Sequence, residues 1–348
     1  MNTVDPFVGT KVADRYEIRE HAYDEALGQV YVAWDTTDAR LVHVKVLAPE
    51  FAEDSAKFRR FGREITASFM VTHPHTVEVL DFGDSDNMLY LVLEYLSAHE
   101  VSKELIRGPL EPLRVASIVA QVAAALGAAH QEGIVHRNLC PDTILLLDNV
   151  SGGDFAKVRD FGMSKLESAE QTGGGLTTAN ERLGVAAYTA PEYLSTGEYH
   201  LKGDLYALGA VAWHMLTGRP PYEGDIATVL TDAMAGPPPA PSTQREGVPP
   251  WLDALVVDLM ARNPTDRPGA YKVSQRVEEG LDGPVIAGTI LALDADGNAI
   301  VVPEAAGGGR RALVAMAVAA LVLGAATLLV VVLVIGIALS ILLLQQGS

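Results

Sequence analysis

Residues 133–146 read GIVHRNLCPDTILL. The apolar pair Ile134 and Val135 leads into the polar group His136, Arg137 and Asn138, and an apolar run resumes at Ile144. Three positions decide what this stretch can do chemically: Asn138, Cys140 and Thr143. None of them supplies a charge. Cys140 is the chain's single cysteine, so no intrachain disulfide can form and a reducing compartment is expected. The preceding segment, LRVASIVAQVAAALGAAHQEG (113–133), carries a helical pattern.

Composition narrows the possibilities. The chain has 348 residues, with 26 Lys and Arg against 44 Asp and Glu, a net charge of −18. No run of basic residues is longer than two, and this argues against nucleic-acid binding, which needs a clustered basic surface. From Ala312 to Leu344 there is no charged residue. At about 1.5 Å per residue such a helix exceeds the roughly 30 Å hydrocarbon core of a bilayer. Arg310 and Arg311 precede it and Gln345 to Ser348 follow it, so the positive-inside rule places the N-terminal bulk in the cytoplasm. The opening MNTVDPFVGTKVADRYEIRE has no apolar stretch, so no signal peptide is expected. A single-pass cell-membrane protein anchored by its tail is the expected topology.

Between the ends, the patterning changes once. YEIRE, QVYVAWD and VHVKVL (16–48) read as strands. SAKFRRFGREITASFMVT (55–72) has helical spacing, and HTVEVLDFGDSDNMLYLVLEYL gives two strands around DSDN. From Pro112 onward the pattern is helical. This predicts an α+β chain of two lobes: a β-rich small lobe (1–97) and a helical large lobe (98–280), with a cleft between them. Residues 281–309 read as a β-hairpin plus a Gly-rich linker, and 310–348 as the membrane helix with a short outer tail. Asp294, Asp296 and Asn298 imitate a calcium loop, but Ala299 and Ala305 stand where that loop needs Gly and Glu, so no metal is expected there.

Several motifs occur in one order. Lys45 lies in VHVKVL after Gly28 of GQVYVAWD, Glu64 lies in RFGRE, and LVLEYL spans 91–96. HRN (136–138), DFG (160–162), YTAPE (188–192), Asp204 in KGDLYALG and Arg267 in NPTDRP follow. Over about residues 14–280 the chain therefore resembles the protein kinases, specifically bacterial membrane-anchored Ser/Thr kinases of eukaryotic type. The resemblance implies a bilobal kinase fold in which Lys45 pairs with Glu64. LVLEYL would be the hinge bracketing an adenine, and Asp160 the Mg²⁺ ligand. Asp204 and Arg267 match structural anchors.

The same resemblance exposes what is missing. An active kinase loop carries Asp, Lys and Asn where this chain has Asn138, Cys140 and Thr143. Asn138 is no base, Cys140 no cation, and Thr143 a poor substitute for a metal-ligating amide. In the phosphate loop, HAYDEALG (21–28) keeps Gly28 but puts Tyr23 and Glu25 where glycines would be, and Asp24 with Glu25 is expected to bring two carboxylates towards the phosphate site. The reading is a degenerate member, a pseudokinase acting as signalling scaffold or adaptor, with no resident cofactor. The alternatives are a weakly active Ser/Thr kinase and a sensor that binds Mg²⁺–ATP weakly through Lys45, Glu64, Gly28 and Asp160 without transfer. A nucleophilic Cys140 is a fourth, minor reading.

The resemblance also implies regulation. Thr177 and Thr178 lie in the polar, glycine-rich segment after DFG, where threonines of similar kinases are phosphorylated, and Arg137 is a suitable bidentate partner for a phosphate. The partners expected are an active Ser/Thr kinase and a phosphothreonine-binding adaptor.

Overall fold

The computed structural model describes residues 5–25, 28–47, 65, 69–85, 88–148, 150, 153–161, 186–281, 288–293 and 299–303. They fall into two compact units, Met1–Val285 and Ile286–Ser348. Glu64, Thr177, Thr178, most of the expected 55–72 helix and the apolar run 312–344 lie outside the described residues.

The small lobe is a six-stranded antiparallel sheet. Its strands are β1 (Lys11–Val12), β2 (Tyr16–Glu25), β3 (Gly28–Asp35), β4 (Arg40–Leu47), β5 (Val79–Ser85) and β6 (Met88–Glu94), in the order β1-β2-β3-β4-β6-β5. Period-two alternation sorts its side chains. Tyr31, Ala33, Val42, Val44 and Val92 pack on one face with Tyr16 and Ile18. Leu47, Leu89 and Leu91 pack around Ile65 on the other. Lys45 and His43 share that second face, opposite Leu91 and Leu93 respectively.

Strand β2 runs further than the sequence suggests. YEIRE reads as the strand and HAYDE as loop, yet pairing continues to Glu25 opposite Gly28. The reason is a pair of register shifts, between Ile18 and Glu20 and between His21 and Tyr23. A bulge inserts one residue and moves everything after it to the other face. His21 therefore lies opposite Tyr31, whereas Tyr23 lies opposite Val30, in the row that contains Lys45. Without the second bulge, Tyr23 and Glu25 would point away from the cleft.

In the large lobe, α1 (Val101–Leu105), α2 (Pro112–Gln131), α3 (Pro191–Thr196), α4 (Leu201–Thr217), α5 (Ile226–Ala235), α6 (Pro250–Leu259) and α7 (Ala270–Gly280) surround a small sheet of β7 (Ala98–Glu100), β8 (Ile144–Leu147) and β9 (Ala156–Val158). Helix α2 is apolar and long enough to cross a membrane by composition, but two thirds of its apolar window is buried in this lobe. Its Ala116, Ala120 and Ala123, with Ala207 and Ala210 of α4, are small core residues that permit close helix packing. In the second unit β10 (Gly288–Leu293) pairs antiparallel with β11 (Ala299–Pro303).

One buried charge closes the large lobe. The Arg267 guanidinium is fully buried and donates to both Glu192 carboxylate oxygens at 2.5 and 2.7 Å. It also donates to the carbonyls of Ala261 and Lys202 at 2.8 and 2.9 Å. A buried guanidinium is tolerated only with such complete pairing. Arg267→Ala leaves Glu192, the start of α4 and the 261–262 loop without their common partner, and urea unfolding should show a loss of about 3–5 kcal/mol. A loss below about 1 kcal/mol would mean that this pair does not hold the lobe together.

Candidate functional site

The loop quoted at the outset hangs from α4. Asp204, fully buried, accepts the main-chain N–H groups of His136 and Arg137, both at 2.9 Å, and contacts the His130 ring at 2.8 Å. These bonds hold Arg137 in the left-handed region, at φ 69°, which a side-chain-bearing residue adopts only when its surroundings impose it. The His136 ring, also fully buried, donates through Nε2 to the Arg159 carbonyl at 2.9 Å and meets Phe161 edge-on at 4.8 Å. Burial lowers the pKa of this imidazole, so it is a neutral structural link between HRN and DFG. Asp160 begins the next strained turn at φ 66°.

The three altered positions take up local structural work. Cys140 is 5% exposed, and burial pushes its thiol up to about 12. A thiol so held is no nucleophile, and the minor reading of Cys140 as one is set aside. The Thr143 hydroxyl accepts from the Cys140 N–H at 3.1 Å and donates to the Cys140 carbonyl at 3.0 Å, capping the short 3₁₀ turn Pro141–Thr143. At 4% exposure, with its proton donated and one lone pair used, the hydroxyl is turned into the loop rather than towards the cleft. The Asn138 main-chain N–H donates to the His136 ring at 3.3 Å, and its side chain has no charge with which to take a proton.

The phosphate end of the cleft is filled from within the chain. Tyr23 and Glu25 face inward while Asp24 faces solvent, bonded to His21 at 3.0 Å and Gln29 at 3.1 Å. The expectation that Asp24 and Glu25 both approach the site is thus corrected: alternation along the strand sends only one of them in. The Glu25 carboxylate lies 2.5 Å from Lys45 Nζ and 3.0 Å from an Arg159 guanidinium nitrogen. Lys45 is only 2% exposed. Burial opposes the Arg159 charge, but Asp160, 3.4 Å from its Nε, and Glu25 outweigh that cost and raise its pKa. The same guanidinium lies 5.8 Å from the centre of the Tyr23 ring. Gly28 serves the packing of this hairpin, because a Cβ there would come within 2.0 Å of the Val46 carbonyl oxygen.

Two residues of this site escape sequence reasoning. Arg159 directly precedes DFG, and His43 is two positions from Lys45 on the same strand face. His43 is half-buried, its ring 5.0 Å from that of Tyr95 and 6.3 Å from that of Tyr23. Beneath the sheet, a small apolar pocket is lined by Ile65, Val77, Leu91 and Leu93, together with Arg159, Asp160 and Phe161. Tested against Mg²⁺–ATP, these residues do not fit. Lys45 already holds a carboxylate, Thr143 is engaged, and Asp160 faces an arginine. Among the described residues, no group of three or more His, Cys, Asp or Glu could hold a metal.

The family described as "Protein kinase domain" matches residues 25–277. The chain is similar over 283 residues to the serine/threonine-protein kinase pkn3 of Myxococcus xanthus, with 31% identity over 80% of this chain and 52% of that protein. It is 36% identical over 253 residues to the serine/threonine-protein kinase PknE of Mycobacterium tuberculosis, covering 72% of this chain and 43% of that one. The chain thus spans about half the length of the curated relatives it matches. Among solved structures, the PknI kinase domain of Mycobacterium tuberculosis superposes with a TM-score of 0.59 at 27% identity, covering 78% of this chain and 98% of that one.

The thiol gives a simple check of the loop. With its pKa near 12, Cys140 should resist iodoacetamide in the folded protein at pH 8.5 and react within minutes after unfolding in urea. Native labelling at the rate of a free thiol would show the loop to be open.

Proposed function

Because the chain belongs to the protein kinase family, we propose that its departures from the catalytic pattern make it a membrane-anchored pseudokinase, a signalling scaffold or adaptor that does not transfer phosphate. The observation that carries this reading is the Glu25 carboxylate bridging Lys45 and Arg159 at 2.5 and 3.0 Å. A triphosphate entering the cleft must take Lys45 from Glu25 and then lie beside that carboxylate. Two like charges about 4 Å apart near a protein surface repel by roughly 4 kcal/mol. At about 1.4 kcal/mol per tenfold, that is roughly three orders of magnitude in affinity. The loss of base, cation and second metal ligand at Asn138, Cys140 and Thr143 acts on the same step. The charge-free run Ala312–Leu344 supports the membrane location.

A second reading, a weakly active Ser/Thr kinase, is favoured by the names of the relatives and by the retention of Lys45 and Asp160. Labelled phosphate transfer by the full-length chain with Mg²⁺ or Mn²⁺ separates the two. The pseudokinase reading expects no transfer above that of Asp160→Ala, and no rescue by Asn138→Asp alone. Transfer that Asp160→Ala abolishes would establish the weak kinase instead.

The adaptor role includes phosphorylation in trans at Thr177 or Thr178. The Nε of Arg137 is buried and has no hydrogen-bond partner among the described residues, which suits a residue with donor capacity left for a phosphate. Co-expression with an active Ser/Thr kinase from the same cell, followed by mass spectrometry, should find phosphate on one of these threonines. It should also find a bound protein that a Thr177→Ala/Thr178→Ala variant loses. Unmodified threonines would remove this role and leave the question of phosphotransfer where the previous assay puts it.

A further inference from the structure

The base end of the cleft carries a separate feature. His43 shares its sheet face with Lys45 and lies opposite Leu93 of β6, next to the hinge residues Glu94 and Tyr95. Burial lowers the pKa of its imidazole to about 4, so the ring is neutral, and a hydrogen bond to the Glu94 main chain offsets only part of that. The ring is tilted by 50° against Tyr95 at 5.0 Å and meets Tyr23 edge-on at 6.3 Å. Tyr23 and Tyr95 come from either side of β4, one from the end of β2 and one from the segment after β6. His43 sits between them as a flat, hydrogen-bonding ring.

A purine held against the hinge needs a flat apolar slot and a main-chain acceptor for its amino group. Both are taken here. Glu94 is itself fixed, since its N–H donates to the Glu78 carbonyl at 3.0 Å and its carboxylate lies 2.5 Å from Lys157 Nζ. A purine amino group would have to share the carbonyl with the His43 ring, which is already hydrogen-bonded there. Removing a water by a ligand is cheap, but displacing a ring that packs on two aromatics forfeits their contacts, at about 0.5–1.5 kcal/mol each, plus the hydrogen bond.

We propose that His43 is a specificity-determining residue that occupies the base position at the hinge and closes the cleft to purine nucleosides, independently of what Glu25 does at the phosphate end. The inference rests on the nucleotide-free reading of the same cleft, but it concerns a ligand without phosphates, so the two can fail separately. The probe is adenosine, titrated into the full-length chain in detergent and followed by saturation-transfer NMR and equilibrium dialysis. Wild type should show no saturable binding up to millimolar adenosine. His43→Ala should bind it at least tenfold more tightly, with the Glu94 carbonyl and the slot between Tyr23 and Tyr95 released. His43→Val, which keeps a strong strand former at this position, is the companion variant should His43→Ala lose its fold by circular dichroism. Adenosine binding by wild type comparable to that of either variant would overturn the proposal. So would its absence from both folded variants, because the base end would then be closed by something other than His43. Neither result alters the phosphotransfer assay, which reads the altered loop and Glu25.

Discussion

The Glu25 carboxylate, set between Lys45 and Arg159, is the contact on which the cleft depends. Two cations, one of them only 2% exposed, could not remain in this space without a counter-charge. In a kinase of the active kind the phosphates of the nucleotide bring further negative charge to this lysine. Here the counter-charge is covalently part of the chain and is delivered by a strand whose second bulge turns Tyr23 and Glu25 inward. The consequence is a cleft that is electrostatically complete without a ligand. Arg159 strengthens this arrangement, because it adds a second partner for Glu25 and faces Asp160 at 3.4 Å, the carboxylate a metal would need.

Below the cleft the buried anchors of the protein kinase fold are in place. Asp204 still fixes His136 and Arg137, His136 still ties the loop to Arg159 and Phe161, and Arg267 still locks Glu192. These contacts keep two residues in left-handed backbone conformations that cost free energy in any other setting. The loop keeps its strained backbone geometry, with Asn138, Cys140 and Thr143 at the positions where the resemblance places reactive groups. Thr143 caps a turn, and Cys140 fills the core. A fold held this rigidly is suited to presenting a surface, and the family's fold alone does not decide whether chemistry occurs on it.

Much of this was legible in the sequence, for physical reasons that differ by element. The strands β3 to β6 and helices α2, α4 and α6 announce themselves through their period, and Asp204 and Arg267 through their motifs. Asn138, Cys140 and Thr143 were identifiable because each changes a charge or a ligand at a fixed spacing. The role of Glu25 was read only in part: its sign was visible, but a bulge cannot be read from residue types, so the sequence suggested two carboxylates repelling a ligand where one is paired and the other faces solvent. Arg159 and His43 were missed because neither position belongs to the residues that carry the chemistry. The available signal for His43 was its offset of two from Lys45 within a strand, which places both on one face. Glu64 and the activation-segment threonines lie outside the described residues, so the Lys45–Glu64 pairing remains an expectation from the resemblance.

The claim that Glu25 substitutes for a bound phosphate is tested most directly with a ligand that has phosphates and no base. Inorganic tripolyphosphate, titrated calorimetrically into the full-length chain at low salt, should give no binding heat with wild type. With Glu25→Ala it should bind at Lys45 and Arg159, with an affinity that falls as salt rises and that is lost in Glu25→Ala/Lys45→Ala. Equal binding of tripolyphosphate by wild type and Glu25→Ala would contradict the account, since the two cations would then be open to a ligand with Glu25 in place.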